Sequence, residues 1–338
     1  MTIPYRTRRI LQRVAVTVLA LVLAAALIWA CWLLWLHKYI IYSADEGAIL
    51  DFQLQSISGE GVLAQPPEED ATISIYYNEG ENAINTSKEL TQLSGYYADS
   101  TALEDISTVL SQIQALPAGT AVMVDVKNIY GSFYYSSTVS EKRSSSIDTA
   151  AMDELIEYLD TSAMYTIARL PALRDYAYGL NHVSDGLPTA GGYLWMDDDG
   201  CYWLNPSSEG TIAYLAQIVS ELKSLGFDEV VFDDFYFPDT SSIVFSGDRP
   251  QALAAAAQTL VTTCATESFA VSFTGDASFT LPDGRSRLYV ESASAADAAS
   301  IAQQTGIADT AIRLVFLTEV HDTRFDVYSV LRPLSAAH

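Results

Sequence analysis

The sequence predicts an α/β protein: a (β/α)8 barrel of the TIM type, complete or one strand short, behind an N-terminal transmembrane helix. Three observations carry this reading. From about residue 89, strand-like apolar runs alternate with amphipathic helical runs, and repeated βα units build parallel sheets. The stretch 89–338 has the usual length of such a barrel, roughly 250 residues. Finally, Gly226-Phe227-Asp228-Glu229-Val230-Val231-Phe232-Asp233-Asp234-Phe235-Tyr236-Phe237-Pro238 runs an apolar strand into two adjacent carboxylates. A strand apolar on both faces needs cover on both. Carboxylates at its C-terminal end lie where α/β barrels keep their chemistry.

Taken in order, Leu93 to Tyr97 reads as the first strand. Thr101 to Ala115 is a helix with Leu103, Ile106, Val109, Leu110 and Ile113 on one face. Ala121 to Lys127 is the second strand, and Asp148 to Leu159 a helix capped by Asp148. Met164 to Ala168 is the third strand, ending at Arg169. Ser207 to Leu225 is a helix with Ser207 as its cap, and Asn205-Pro206 shapes its start. Glu229 to Phe232 is the fourth strand. Pro250 to Thr263 is an alanine-rich helix with proline in its first turn. Phe269 to Phe273, Arg287 to Val290 and Ile312 to Leu317 are further strands, with a helix from Ala295 to Gln304. An eighth strand is sought near Phe325 to Val330. The alternative, an open doubly wound sheet, lacks the Gly-rich phosphate loop that would favour a nucleotide site.

Val14 to Leu36 carries no charge, and about 20 such residues span a bilayer. Arg6, Arg8, Arg9 and Arg13 precede it, and Trp29, Trp32 and Trp35 sit toward its far end. The pattern predicts a single-pass plasma-membrane anchor with a cytoplasmic N-terminus and an extracytoplasmic C-terminal domain. A cleaved signal peptide has a shorter core and a small-residue cleavage site, whereas bulky Trp32 to Leu36 occupy this end. Ile28-Trp29-Ala30-Cys31 resembles a lipobox faintly, but the apolar run continues past Cys31. The chain thus divides into a basic tail at 1–13, the anchor at 14–36, a stalk at 37–88 and the barrel at 89–338. Within the stalk, alternating Leu50, Phe52 and Leu54 suggest a strand, as does Ile73 to Tyr77.

The chain has 18 Lys+Arg against 42 Asp+Glu, a formal net charge of −24. Five of the basic residues and none of the acidic ones lie in residues 1–40, so the remainder is strongly acidic. Such a surface repels nucleic acid and suits neutral ligands such as glycans. Cys201 and Cys264 could pair in an oxidising compartment, and read more simply as two unpaired thiols. The four histidines lack ligand spacing, so no metal site is expected.

Four segments, in order, resemble motifs of the bacterial DUF4015 family of glycoside hydrolase type. Gly226 to Pro238 resembles its GFDEIQFDYVRFP motif. Val122-Met123-Val124-Asp125-Val126-Lys127 resembles VVIDVKD. Ala168-Arg169-Leu170-Pro171-Ala172-Leu173-Arg174-Asp175 resembles ARIVVFKD. Leu194 to Pro206 resembles the VWRDRKGLAWVNP hairpin. The resemblance implies a glycosidase-like TIM barrel and a carbohydrate substrate. Two departures stand out: Asp234 replaces the family's tyrosine, and Tyr236 replaces its arginine.

Glycosidic cleavage uses two carboxyl groups, one an acid and the other a base or nucleophile. Asp233 ends a strand and matches the family's aspartate, so it is the first catalytic candidate; the structural alternatives are a loop cap or a pair with Arg169. Asp234 has opposite pleat parity, so one of the two is expected to face the helices. Asp228 and Glu229 are expected to serve the turn entering the strand. Asp125 ends the second strand and is either a site residue or an ion-pair partner of Lys127. For the second carboxyl, Glu319 ranks above Glu291 and Asp276. Arg169, Asp234 and Tyr236 are expected to bind substrate. Trp195, Tyr202 and Trp203, on a hairpin above the mouth, offer rings for sugar stacking, with Trp203 foremost. Tyr130, Phe133, Tyr134 and Tyr135 could extend that platform. The expected function is cofactor-free hydrolysis of a cell-envelope or environmental polysaccharide. A glycan-binding pseudoenzyme and an envelope scaffold are the alternatives.

Overall fold

The computed structural model describes residues 40–43, 47–50, 90–140 and 142–337. The chain divides into two units, 1–66 and 67–338. In the first, Ile40–Ser43 pairs antiparallel with Gly47–Leu50, so Leu50 ends a strand. Phe52, Leu54, the segment 73–77 and the predicted anchor at 14–36 lie outside the described residues. Among the described residues, no helix is long and apolar enough to cross a membrane.

In the second unit, eight parallel strands close into a barrel. They are β1 (Ser94–Ala98), β2 (Ala121–Asp125), β3 (Tyr165–Pro171), β4 (Glu229–Asp233), β5 (Ala270–Thr274), β6 (Leu288–Glu291), β7 (Leu314–Leu317) and β8 (Ser329–Pro333). The eighth strand starts slightly later than expected and completes the ring: Val330 lies opposite Phe316 of β7 and Ser94 of β1. The open-sheet alternative is therefore excluded.

The helices are α1 (Ile106–Gln114), α2 (Thr149–Thr161), α3 (Tyr176–Asn181), α4 (Glu209–Ser224), α5 (Arg249–Cys264), α6 (Ala298–Thr305) and α7 (Thr310–Arg313). Asp105, Asp148, Asp175 and Asp248 cap α1, α2, α3 and α5 through backbone N–H groups left free in the first turn. α4 begins later than the sequence suggests, with Ser208 rather than Ser207 at its cap position. The Ser208 hydroxyl donates instead to Asp185 Oδ1 at 2.6 Å. Ile312 and Arg313, expected in the seventh strand, belong to α7. No helix follows β5, and only the short 3-10 turn Thr323–Phe325 follows β7.

Strand side chains alternate between two cores. Val122, Val124, Ala168, Leu170, Val230, Phe232, Val271 and Phe273 face outward and pack with helix residues such as Leu155, Leu215, Ile218 and Leu260. Ala121, Met123, Ile167, Val231, Tyr289, Val315, Leu317 and Leu331 fill the lumen. Because both faces are buried, the strands read as continuous apolar runs. Gly95 permits a close approach of β1 to β2: a β-carbon there would lie 1.9 Å from the Ala121 carbonyl oxygen.

The floor of the lumen is ionic. Glu229 and Arg287 form an ion pair with both side chains at 0% exposure. The Glu229 carboxylate also accepts from Tyr165 at 2.9 Å and Tyr289 at 3.0 Å, and from Ser272. Arg287 donates to the carbonyls of Ile312 at 3.0 Å and Thr91 at 2.9 Å. Glu229 is thus a core residue of the barrel rather than part of an entry turn. Asp228 fills the expected entry role, accepting the Thr166 amide at 2.8 Å.

Removing one partner of a buried pair strands the other charge, at a cost of about 3–5 kcal/mol. Glu229→Ala and Arg287→Ala should each lose about that much in urea unfolding, and the double variant should lose less than the two effects added together. Additive losses would show that the pair is not coupled.

Candidate functional site

The C-terminal mouth of the barrel gathers the inward-facing residue at or just past the end of each strand. β2 ends in Asp125, β4 in Asp233, β5 in Thr274 and β6 in Glu291, while Arg169 lies late in β3. These positions share the parity of lumen residues Met123, Ile167, Val231 and Tyr289 two positions earlier, so the pleat aims them into the mouth.

Arg169 organises the group. Its Nε donates to Asp125 Oδ1 at 2.7 Å, and its Nη1 donates to Glu291 Oε1 at 2.8 Å. The expected Asp125–Lys127 pair does not form. Lys127 lies past the end of β2 and pairs with Asp175 at 2.7 Å, both side chains at 0% exposure. Asp175 also accepts from Tyr214 at 2.8 Å and caps α3. Nor does Arg169 form an ion pair with Asp233. Instead, Asp233 Oδ1 accepts from the Thr274 hydroxyl at 2.7 Å and from the Asp234 amide at 2.8 Å.

The Glu291 side chain is 46% exposed; its partial burial, and then the charge of Asp233, push its carboxyl upward, with Arg169 opposing. Burial raises Asp125 as well, again against Arg169. Asp234 is pushed up to about 6, first by burial and second by Asp233. Its backbone is left-handed, with φ 49°. That turn cancels the parity argument: Asp234 does not face the helices, and both acids line the same cavity with Asp125, Lys127, Tyr134 and Arg169.

Glu319 lies on the rim just past β7. Its charge, after burial, raises the Tyr97 hydroxyl at the end of β1. Of Glu319, Glu291 and Asp276, the carboxylate joined to Arg169 and coupled to Asp233 is Glu291. Asp276 lies in the loop after β5, where it accepts from the Ser278 amide at 2.7 Å and shapes a turn.

One wall of the mouth is the hairpin leading to Trp203, in which Met196 bridges Tyr202. Arg174 pins it, donating from Nε to Asp197 Oδ2 at 2.6 Å and pairing with Asp199. Trp203 Nε1 donates to the same Asp197 oxygen at 2.9 Å. Burial disfavours the Asp197 carboxylate, but these donors and the Cys201 amide outweigh it and hold its pKa below the usual range. Trp203 is only 3% exposed, so its ring is a packing element and not the open stacking face expected. It meets Tyr236 edge-on at 4.9 Å, and Tyr236, half exposed, presents the accessible ring. Trp195 is partly buried, 6.3 Å from Trp203. Of the proposed second platform, Phe133, Tyr134 and Tyr135 are buried and only Tyr130 is open. Cys201 and Cys264 are both free thiols, as read from the sequence. Among the described residues, no group of three or more His, Cys, Asp or Glu side chains could hold a metal.

Among solved structures, the α-galactosidase from Lactobacillus brevis is similar at TM-score 0.50 and 10% identity, over 73% of this chain and 38% of that one. A hypothetical protein from Ruminiclostridium thermocellum has TM-score 0.45 and 19% identity over 53% of this chain and 96% of its own. The glycoside hydrolase domain of PelA from Pseudomonas aeruginosa has TM-score 0.46 and 13% identity over 74% and 97%. The first likeness supports the barrel fold, and this chain spans well under half of that enzyme. No functionally curated protein matches the chain in sequence. The family model described as a putative glycosyl hydrolase domain matches residues 93–271, more than half of the chain, and the protein therefore belongs to the DUF4015 family.

Proposed function

We propose that the protein is a membrane-anchored, extracytoplasmic glycoside hydrolase acting on a cell-envelope or environmental polysaccharide. The observation that carries the catalytic part is the coupling of Asp233 and Glu291 across one barrel mouth. Glycoside hydrolysis needs one carboxyl that holds a proton near neutral pH and one that does not. Glu291, raised by partial burial and by its acidic neighbour and open enough to meet a substrate, suits the acid. Asp233, with Oδ1 fixed by Thr274 and the Asp234 amide, suits the base or nucleophile. Arg169 positions Glu291 and Asp125 together, and Tyr236 offers a face for sugar C–H groups. Glu319, at the rim, would contact a longer substrate. The anchoring part is supported by the uncharged run Val14 to Leu36 behind four arginines.

A glycan-binding protein without turnover is a second reading, favoured by tyrosine at 236 where the family motif has arginine. A hydrolysis screen over a polysaccharide panel separates the two. On the hydrolase reading, Asp233→Asn and Glu291→Gln each reduce kcat by about 10²–10⁴-fold, whereas Glu319→Gln changes mainly KM. Binding without turnover by the unmodified protein would leave the second reading. The rate should also fall as pH rises through the elevated Glu291 pKa, because the acid must carry its proton. Glu291→Gln should remove that alkaline limb, measured as kcat/KM against pH.

A further inference from the structure

Every cation at the mouth already has a carboxylate. Lys127 is paired with Asp175, Arg169 with Asp125 and Glu291, and Arg174 with Asp197 and Asp199. Two adjacent acids remain outside any ion pair. Asp233 has hydrogen-bond donors on Oδ1 but no ion pair, and the Asp234 carboxylate makes neither a hydrogen bond nor an ion pair among the described residues. Both line a cavity of about 230 Å³, enough for part of one sugar ring. The charged groups that act on Asp234 come from every wall: Asp233 at the end of β4, Arg174 beyond β3, Asp197 on the hairpin and Lys127 beyond β2.

The two departures from the family motif act in the same direction. Aspartate for tyrosine at 234 adds a negative charge, and tyrosine for arginine at 236 removes a positive one. Relative to that motif, the mouth is two charge units more negative. A neutral hexose can donate hydroxyl hydrogen bonds to Asp234 but cannot offset its charge, and a uronic acid would add to the repulsion. A cation relieves it.

We infer that the mouth selects a sugar carrying a protonated amine, an unacetylated hexosamine, with Asp234 as its counter-ion and Asp233 left free for the reaction. This inference rests on the hydrolase reading of the same cavity. Asp234 is a specificity-determining residue on this account, and Tyr236 packs against the ring it holds.

The test is calorimetric binding of fully N-deacetylated and fully N-acetylated tetrasaccharides of glucosamine and of galactosamine to the full chain. At least one amine oligomer should bind about ten-fold tighter than its acetylated counterpart. Its affinity should rise from about pH 5 as Asp234 ionises and fall again above about pH 7, because an amine flanked by ring oxygens gives up its proton well below a lysine's range. Asp234→Asn should abolish the preference. Restoring the family residues with Asp234→Tyr and Tyr236→Arg together should reverse it. Equal or weaker binding of both amine oligomers, no binding of either, or a preference that survives Asp234→Asn would overturn the inference. Hydrolysis of the same oligomers separates the two readings. Amine-selective binding with no turnover removes the hydrolase and leaves the selectivity, whereas turnover confined to acetylated oligomers does the reverse.

A stability measurement accompanies the binding one. The folded pKa of Asp234, about 6, lies above the ordinary value in the unfolded chain, so ionising it in the fold opposes folding. That penalty is complete above the folded pKa and fades as pH falls toward the unfolded one. Asp234→Asn should therefore melt higher than the parent protein at neutral pH, with the gain shrinking toward about pH 4. A variant that melts lower at neutral pH would show that the Asp234 carboxylate is already compensated, leaving no place for an external cation.

Discussion

The barrel depends on one buried charge pair. Glu229 and Arg287 lie at the floor of the lumen, where neither reaches water. An isolated charge there would be prohibitively costly, and the pair is tolerable because its remaining hydrogen-bonding capacity is also used. Glu229 gathers hydroxyls from β3, β5 and β6, and Arg287 reaches the carbonyls of Thr91 and Ile312, which precede β1 and β7. The contacts therefore span the ring. They matter most beside β5 and β6, which pair directly only at Phe273–Leu288 and Thr274–Tyr289 and have no helix between them. There the Arg287 carbonyl also accepts the Phe273 amide at 3.1 Å.

Above that floor the lumen is stratified. Met123, Ile167, Val231, Tyr289, Leu317 and Leu331 form an apolar plug, and the charged mouth sits on it. The plug keeps the lower pair away from the upper acids, so each charged layer settles its own balance. Strand period sets the layers: Glu229, Val231 and Asp233 are successive inward positions on β4, and Tyr165, Ile167 and Arg169 are their counterparts on β3. A one-residue slip in either strand would put its charges into the outer core and its outward apolar residues into the lumen. Register is consequently fixed by the same side chains that build the site.

The same arithmetic explains what was legible in the sequence. Strand positions could be read because both faces of a parallel strand are apolar, and Asp233 could be read because it follows such a run. Glu229 was misread as a turn residue because its partner lies 58 positions later in sequence, and nothing local marks Arg287 as its counter-ion. Period-2 alternation counted back from Asp233 could have placed Glu229 in the lumen. Asp234 defeated the parity argument because strand geometry ends at Asp233; a left-handed residue follows, and alternation no longer applies. Trp203 was misread for a different reason. An aromatic ring on a hairpin above a barrel looks available, but Arg174 and Asp197 fold it inward. Glu291 was ranked below Glu319 by sequence, although its strand position matches that of Asp233.

Asp234 shows how such a site can tolerate a poor local arrangement. Its backbone occupies a region that non-glycine residues seldom adopt, and its carboxylate is partly buried beside another acid. Neither feature helps the fold. Neighbouring positions resolve the same problem by pairing: Asp125 has Arg169, Asp175 has Lys127 and Asp197 has Arg174. An acid outside any ion pair amid three paired ones is sustainable because the ionic floor and apolar plug hold the strands in place independently. The local disadvantage also has a direction. A positive group entering the mouth would meet Asp234 with no ion pair to break, and its attraction would add to the weaker pull of Arg174 and Lys127. An approaching anion would face both acids and find Arg169 and Arg174 already engaged. The fold thus leaves at its mouth an acid held in no ion pair among the described residues, which favours cations over anions there.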